Sequence, residues 1–260
     1  MPNDGMFRSL FGCASAHISK NVILSSFLPA EGFSVPCDGK RVFRGRFYSG
    51  FTAEGKGISY TFVNCGTGPT LAGDCVMLLG RTAAKNIVFT GSCGGLGKAA
   101  IGDIIVCGKA FSGGAFDHYH GTGTIEQKIP QSGGFSSSDP LLAAELLVEA
   151  KNFCGTRLNV YPGDVFTTPS ITAETPELLL EITQNGFLGI DMEISAVYRA
   201  ASASGIKAAG VLFVGDTPPE KPFWDKVASE DREKLVLAAS CVTDVAVKEV
   251  LKRSKIQNGL

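Results

Sequence analysis

The chain has 260 residues, of which 44% are hydrophobic and 19% charged, and its formal net charge is −1. This composition supplies enough apolar material for a core and excludes a disordered chain. The near-zero charge gives nucleic acid or an anionic membrane no electrostatic attraction, so neither is expected as a partner.

In chain order, the first twenty residues are weakly apolar, lack the features of a signal peptide and are expected to form an irregular extension. A strand is predicted over Asn21–Phe27, and a hairpin with its turn at 54–57 follows it. Helical spacing of apolar residues predicts a helix over Thr70–Arg81. Two apolar runs, Asn86–Gly91 and Ile101–Phe111, are typical of strands covered on both faces.

The second half continues the alternation of helices and strands. Helices are predicted over Pro140–Phe153, over the segment that ends at Gly205, and over the tail from Ser229, with strands over Arg157–Phe166 and Ala208–Asp216. No apolar run is long enough to span a bilayer. The alternation predicts an α/β fold in one domain (1–260) around a mixed sheet.

The eight cysteines include no CxxC pair, and most lie in apolar runs, where a free cysteine behaves as a small hydrophobe. They are Cys13, Cys37, Cys65, Cys75, Cys93, Cys107, Cys154 and Cys241. We therefore expect a reduced, cytoplasmic protein without disulfides or a zinc site.

Three features that could bind or react with a ligand lie at or after the ends of predicted strands. "TGSCGGLG" (Thr90–Gly97) is either a cradle for an anion or sugar or a glycine-rich turn between a strand and a helix, with equal weight. In "VGDTPPE", Asp216 is either a turn or helix cap, the better supported reading, or a carboxyl that gives a proton to a ligand. Phe166 is either a core residue or a stacking surface for a flat ring.

Two further segments carry acids or histidines. "FDHYH" (Phe116–His120) contains Asp117, His118 and His120, but no third ligand elsewhere supports a metal site, and none is predicted. "GIDMEISA" (Gly189–Ala196) places Asp191 and Glu193 around Met192; from the local pattern alone, these acids charge the first turn of the following helix.

Four segments in order resemble the nucleoside phosphorylase family, which includes purine nucleoside phosphorylase, uridine phosphorylase and methylthioadenosine nucleosidase. They are "GTGPT", "TGSCGGLGKAAIGDIIV", "NGFLGIDMEISAVYRAA" and "VLFVGDT", between Gly66 and Asp216. The resemblance implies a three-layer α/β sandwich with a central mixed sheet. It also implies a nucleoside phosphorylase, acting on a purine nucleoside with phosphate as co-substrate and without a cofactor.

The resemblance also implies roles for individual residues. Met192 would pack on the ribose, Glu193 would accept hydrogen bonds from its hydroxyls, and Asp216 would protonate purine N7. The remaining implied contacts are Phe166, Cys93 and Gly94 with the nucleoside, and Ser92, Gly66 and Arg46 with phosphate. Arg46 would come from a neighbouring subunit, so a homo-oligomer is expected, built from dimers and extending to a hexamer as one alternative. Asp191 is left as a structural carboxylate.

The sequence departs from this pattern where phosphate would bind. Phe89 stands where the family's phosphorylases carry a phosphate-binding arginine, and the family's Gly-Asp-Pro loop is missing after the first strand. The family's nucleosidases also lack that arginine and activate water with a glutamate, for which Glu31 is the nearest candidate. Two alternatives therefore stay open: a hydrolytic nucleosidase and a nucleoside-binding relative without activity.

Overall fold

The computed structural model describes residues 4–55, 57–113 and 134–257, and the segment Phe116–His120 lies outside them. Ten strands are found in the described residues. They are β1 (Asn21–Ser25), β2 (Gly39–Arg44), β3 (Ser49–Gly55), β4 (Ile58–Asn64), β5 (Asn86–Gly95), β6 (Ile104–Ser112), β7 (Phe135–Ser137), β8 (Val160–Thr167), β9 (Gly189–Asp191) and β10 (Lys207–Asp216). The α-helices of these residues are α1 (Asp4–Phe11), α2 (Pro69–Leu79), α3 (Pro140–Cys154), α4 (Pro176–Gln184), α5 (Ile194–Ala203) and α6 (Ser229–Gln257).

The strands form one mixed sheet that closes on itself at one end. β5 pairs with β10, β10 with β6, β6 with β8, β8 with β9, and β9 returns to β5. From β5, an open arm continues through β1, β4 and β3 to β2, its outermost strand. The strand β5 therefore belongs both to the closed ring and to the open arm.

Helices cover both faces of the sheet, as the three-layer prediction required. Successive residues of β5 point to opposite faces, so Phe89 belongs to the buried cluster that includes residues of α1, α2 and α5, while Val88 belongs to the one that includes residues of α3 and α6. In the described residues no helix has both the length and the apolar character needed to cross a membrane. None of the eight cysteines forms a disulfide bond. The Sγ atoms of Cys154 and Cys241 are in contact at 3.2 Å.

Residues Asp4–Phe11 form helix α1, whereas an irregular extension was expected over the first twenty residues. Phe7 and Phe11 lie one helical turn apart on α1, and their rings stack at 4.2 Å. Phe11 also contacts the buried ring of Tyr48 at 4.6 Å. Burying two phenylalanines in the core stabilises a helix whose sequence is only weakly apolar overall.

The glycine-rich segment Thr90–Gly97 is also not a turn from a strand into a helix. β5 continues to Gly95, and a non-helical connection then leads to β6. A Cβ atom on Gly95 would lie 2.6 Å from Val214 Cγ1 and 2.7 Å from the Ala99 carbonyl oxygen. These glycines therefore allow neighbouring backbone and side chains to approach the strand closely.

Candidate functional site

A cavity of about 290 Å³ opens at the carboxyl ends of the parallel strands β5 and β10. Ligands gather at this edge of open α/β sheets. β5 contributes Ser92, Cys93 and Gly94, and β10 contributes Gly215 and Asp216. The other lining residues are Ser26, Phe27, Thr67, Ile171, Glu174, Ile190, Asp191, Met192, Glu193, Phe213, Phe223 and Leu235.

Asp191 organises the wall formed by "GIDMEISA". Its Oδ2 accepts the backbone N–H groups of Glu193 at 3.0 Å and Ile194 at 2.7 Å, at the start of α5. Its Oδ1 accepts the Thr167 hydroxyl at 2.6 Å, and that hydroxyl accepts the Ser195 N–H at 3.0 Å. Asp191 therefore caps α5 and ties it to β8, the structural role expected for it.

Glu193 is held by the turn between β4 and α2. The backbone N–H of Gly68 donates to Glu193 Oε1 at 2.6 Å. Gly68 has a φ of 109°, which an L side chain rarely adopts, and Pro69 begins α2 immediately after it. The side chain of Glu193 is only 4% exposed. Burial raises the pKa of Glu193, and the neighbouring Asp191 charge raises it further.

The β5 residues of the cavity are packed against β9 and β10. Cys93 is buried, and its Sγ lies 3.7 Å from the Phe213 carbonyl oxygen. A Cβ atom on Gly94 would lie 2.9 Å from Ile190 Cγ2, so this wall is close-packed at Gly94. The position of Ser92 is more open, and Ser92 is half-buried at the cavity surface.

Two further carboxyl groups line the cavity. Asp216 Oδ2 accepts the Phe223 N–H at 3.0 Å, and burial raises the pKa of Asp216. This bond fits the turn-capping reading of Asp216, and its position in the cavity leaves the ligand-directed reading open. Glu174 follows the short 3-10 turn Ile171–Ala173, and burial together with the Asp216 charge raises the pKa of Glu174 to about 7.

The cavity brings six of the nine predicted site residues together. They are Ser92, Cys93, Gly94, Met192, Glu193 and Asp216. Gly66 lies beside the cavity, where its N–H donates to Asn64 Oδ1 at 3.0 Å, and its neighbour Thr67 reaches the lining.

Phe166 lies outside the lining, and its stacking on a bound base stays a prediction. Its ring stacks on Phe111 at a centroid distance of 5.6 Å and meets Phe187 edge-on at 5.8 Å. Phe166 therefore belongs to an apolar cluster between β8 and α4. The apolar residue from the segment after β8 that does line the cavity is Ile171.

Arg46, the predicted phosphate ligand, is exposed and lies outside the cavity of its own chain. Its backbone N–H donates to the Ser9 carbonyl oxygen at 3.0 Å, which fixes the loop between β2 and β3 on α1. A role for Arg46 in a neighbouring subunit stays a prediction.

Phe89 and Glu31 are the two residues on which the choice between phosphate and water as co-substrate was based. Phe89 is 1% exposed in the core, so it forms no part of the cavity surface. Glu31 lies exposed in the short turn Ala30–Phe33 and is also outside the lining.

The lining is strongly acidic. It contains Glu174, Asp191, Glu193 and Asp216, whereas none of its described residues is a lysine or arginine. Across the part of the chain that the structure describes, no three His, Cys, Asp or Glu side chains are grouped to hold a metal ion. No local pattern singles out Glu174, because only the fold brings it into the same cavity as Asp216.

The comparisons with known proteins agree with this architecture. The family model of the phosphorylase superfamily matches residues 26–252. The purine nucleoside phosphorylase of DeoD type from Roseobacter denitrificans is 29% identical over 71% of this chain and 74% of its own length. A second protein of this type, from Vibrio cholerae, is 28% identical over 76% of this chain and 78% of its own length.

Solved structures share the fold. Purine nucleoside phosphorylase from Toxoplasma gondii, in complex with immucillin-H, has a TM-score of 0.77 at 18% identity and covers 94% of this chain and 95% of its own. Uridine phosphorylase from Vibrio fischeri has a TM-score of 0.71 at 20% identity, over 91% of this chain and 92% of its own.

Proposed function

The chain belongs to the phosphorylase superfamily, and on that premise we propose that it is a nucleoside phosphorylase that cleaves the N-glycosidic bond of a purine nucleoside. Phosphate takes the ribosyl group, and the products are the free base and ribose 1-phosphate. The observation that carries the proposal is that Met192, Glu193 and Asp216 line one cavity. The named purine nucleoside phosphorylases among its relatives support the same reaction.

The arrangement suits the charges that develop when this bond breaks. The ribose gains positive charge, and the departing base gains negative charge. Glu193 accepts hydrogen bonds from the ribose hydroxyls. Because Glu193 and Met192 are adjacent in the cavity wall, these bonds orient the sugar over Met192. Asp216, whose pKa burial raises, neutralises the base by passing a proton to it.

Phosphate requires positive charge that this chain's own described lining does not offer. A phosphate dianion beside Ser92 would face four carboxyl groups without a cation. The proposal therefore includes an oligomer in which Arg46 of a neighbouring copy completes the site. Arg46 suits this role because it is exposed and its backbone is fixed against α1.

Hydrolysis is the second candidate, and the acidic lining favours it. A nucleosidase needs no anion site, and the buried Phe89 occupies the position of the family's phosphate-binding arginine. Because Glu31 lies outside the lining, the base that would activate water has to come from among the cavity carboxyls.

The two reactions differ in their need for phosphate. The chain is incubated with inosine, adenosine and methylthioadenosine, with and without phosphate, and free base and ribose 1-phosphate are measured. Phosphorolysis requires base release that depends on phosphate and yields ribose 1-phosphate; release of base and free ribose without phosphate establishes hydrolysis instead. Glu193→Gln and Asp216→Asn should abolish turnover in either case, and binding without turnover would leave a nucleoside-binding protein.

The role of Arg46 has a matched control. Arg46→Gln should raise the KM for phosphate about tenfold or more, since a charge-assisted contact to an anion contributes about 1.5–3 kcal/mol. Arg44→Gln, two residues earlier on the exposed end of β2, should leave that KM unchanged. Equal effects of the two variants would refute a specific contact.

A further inference from the structure

The cavity contains one carboxyl group with neither a structural role nor a task in the proposed reaction, that of Glu174. Its backbone is fixed on both sides. The Glu174 N–H donates to the Ile171 carbonyl oxygen at 3.1 Å, and the next residue, Thr175, caps α4 by accepting the Leu178 N–H at 3.3 Å. The half-buried side chain of Glu174 is thus held in the cavity lining by a rigid turn.

Glu174 and Asp216 differ in the hydrogen bonds that their carboxyl groups accept. The Phe223 N–H donates to Asp216 Oδ2, and such a bond favours the ionised carboxylate. Among the described residues no donor is directed at the Glu174 carboxyl. Two carboxylates that line one cavity disfavour each other's ionisation, and the unequal hydrogen bonding makes Glu174 the one that binds a proton more tightly. The raised pKa of Glu174, about 7, agrees with this placement.

We propose that Glu174 holds the proton that the departing base receives, with Asp216 as the group that transfers it. This inference rests on the proposed function. The C1′–N bond breaks with its electron pair on the base, while an oxygen of phosphate forms the new bond to C1′. No hydrogen bond joins the two carboxyls among the described residues, so a water in the cavity passes the Glu174 proton to the Asp216 carboxylate, Asp216 gives a proton to N7, and Glu174 is reprotonated from solvent. Glu174 is a positioning residue, because it acts through Asp216.

The pH dependence of kcat/KM tests this role. Glu174→Gln preserves the size of the side chain but cannot hold an acidic proton. With inosine we expect the alkaline limb of the wild-type profile to move to lower pH by about one unit, and activity at pH 7 to fall about tenfold in kcat/KM, since each unit above a pKa reduces the protonated fraction tenfold. Glu177→Gln, in the exposed first turn of α4, is the matched control and should leave the profile unchanged.

A second substrate separates proton supply from a structural role. In 7-methylinosine the base already carries a methyl group and a positive charge at N7, so it departs without a proton. Glu174→Gln should cleave this substrate at the wild-type rate. Equal losses on both substrates, or an unchanged profile with inosine, would overturn the inference while the proposed function stands. A wild-type chain that cleaves no nucleoside would refute the proposed function, and this inference with it.

Discussion

Substituting Gly95 by alanine should destabilise the protein, because the strand has no room for a Cβ atom there. The added atom would lie 2.6 Å from Val214 Cγ1 and 2.7 Å from the backbone carbonyl oxygen of Ala99. Backbone on one side prevents simple relaxation, so the cost should reach about 2 kcal/mol, within the range for overpacked sites. In a chain of this size, that lowers the Tm by about 4–8 °C.

Gly91 provides the matched control on the same strand. A Cβ atom on Gly91 would meet Ser26 Oγ at 3.5 Å and Phe27 Cε1 at 3.8 Å, which are ordinary van der Waals distances. Gly91→Ala should therefore be neutral, or it should stabilise the protein by a few tenths of a kcal/mol because alanine lowers the conformational entropy of the unfolded chain. Urea denaturation of both variants measures the difference in the free energy of unfolding. Equal stabilities would refute the view that "TGSCGGLG" is glycine-rich because of close packing at Gly95.

Three further predictions concern stability. Asp191→Ala removes the acceptor of three hydrogen bonds and should lower the free energy of unfolding in urea by about 2–4 kcal/mol; a neutral variant would contradict its structural role. Phe11→Ala should cost about 3–5 kcal/mol by the same assay, whereas a small loss would mean that α1 contributes little. Glu174 has a pKa of about 7 when folded and an ordinary, lower pKa when unfolded, so it keeps its proton longer in the folded state. The unfolding free energy should accordingly fall as pH rises from about 5 to 7, and less so in Glu174→Gln; identical slopes would argue against the raised pKa.

Much of the fold follows from periodicity within single segments. The apolar spacing of Thr70–Arg81 corresponds to α2, and the run Ala208–Asp216 corresponds to β10. α4 was missed, although Thr175 as a cap and Pro176 at the first helical position are ordinary start signals. The extension of β5 to Gly95 was not predictable, because glycine disfavours strands and the residues that pair with the end of β5, Asp216 with Gly94 and Gly189 with Gly95, are distant in sequence.

In the candidate site, too, the residues within motifs could be predicted, whereas the contacts between distant segments could not. Ser92, Met192, Glu193 and Asp216 were identified through ordered motifs, and the family model extends the match to residues 26–252, beyond the segments that carried the resemblance. Contacts between distant segments could not be predicted from the sequence. The hydrogen bond from the Gly68 N–H to Glu193, for example, joins residues 125 positions apart. Phe166 packs in a separate aromatic cluster and does not line the cavity, an arrangement that its strand position alone does not reveal.

The outermost strand of the open arm bears on how the protein avoids aggregation. The closed ring leaves no free edge at β5, whereas β2 presents one side without a strand partner among the described residues. An unpaired edge invites strands of other molecules to add to the sheet. β2 reads "GKRVFR", and its Lys40, Arg41 and Arg44 are exposed. A like-charged row of this kind repels an identical edge, so the charges of β2 themselves oppose edge-to-edge pairing.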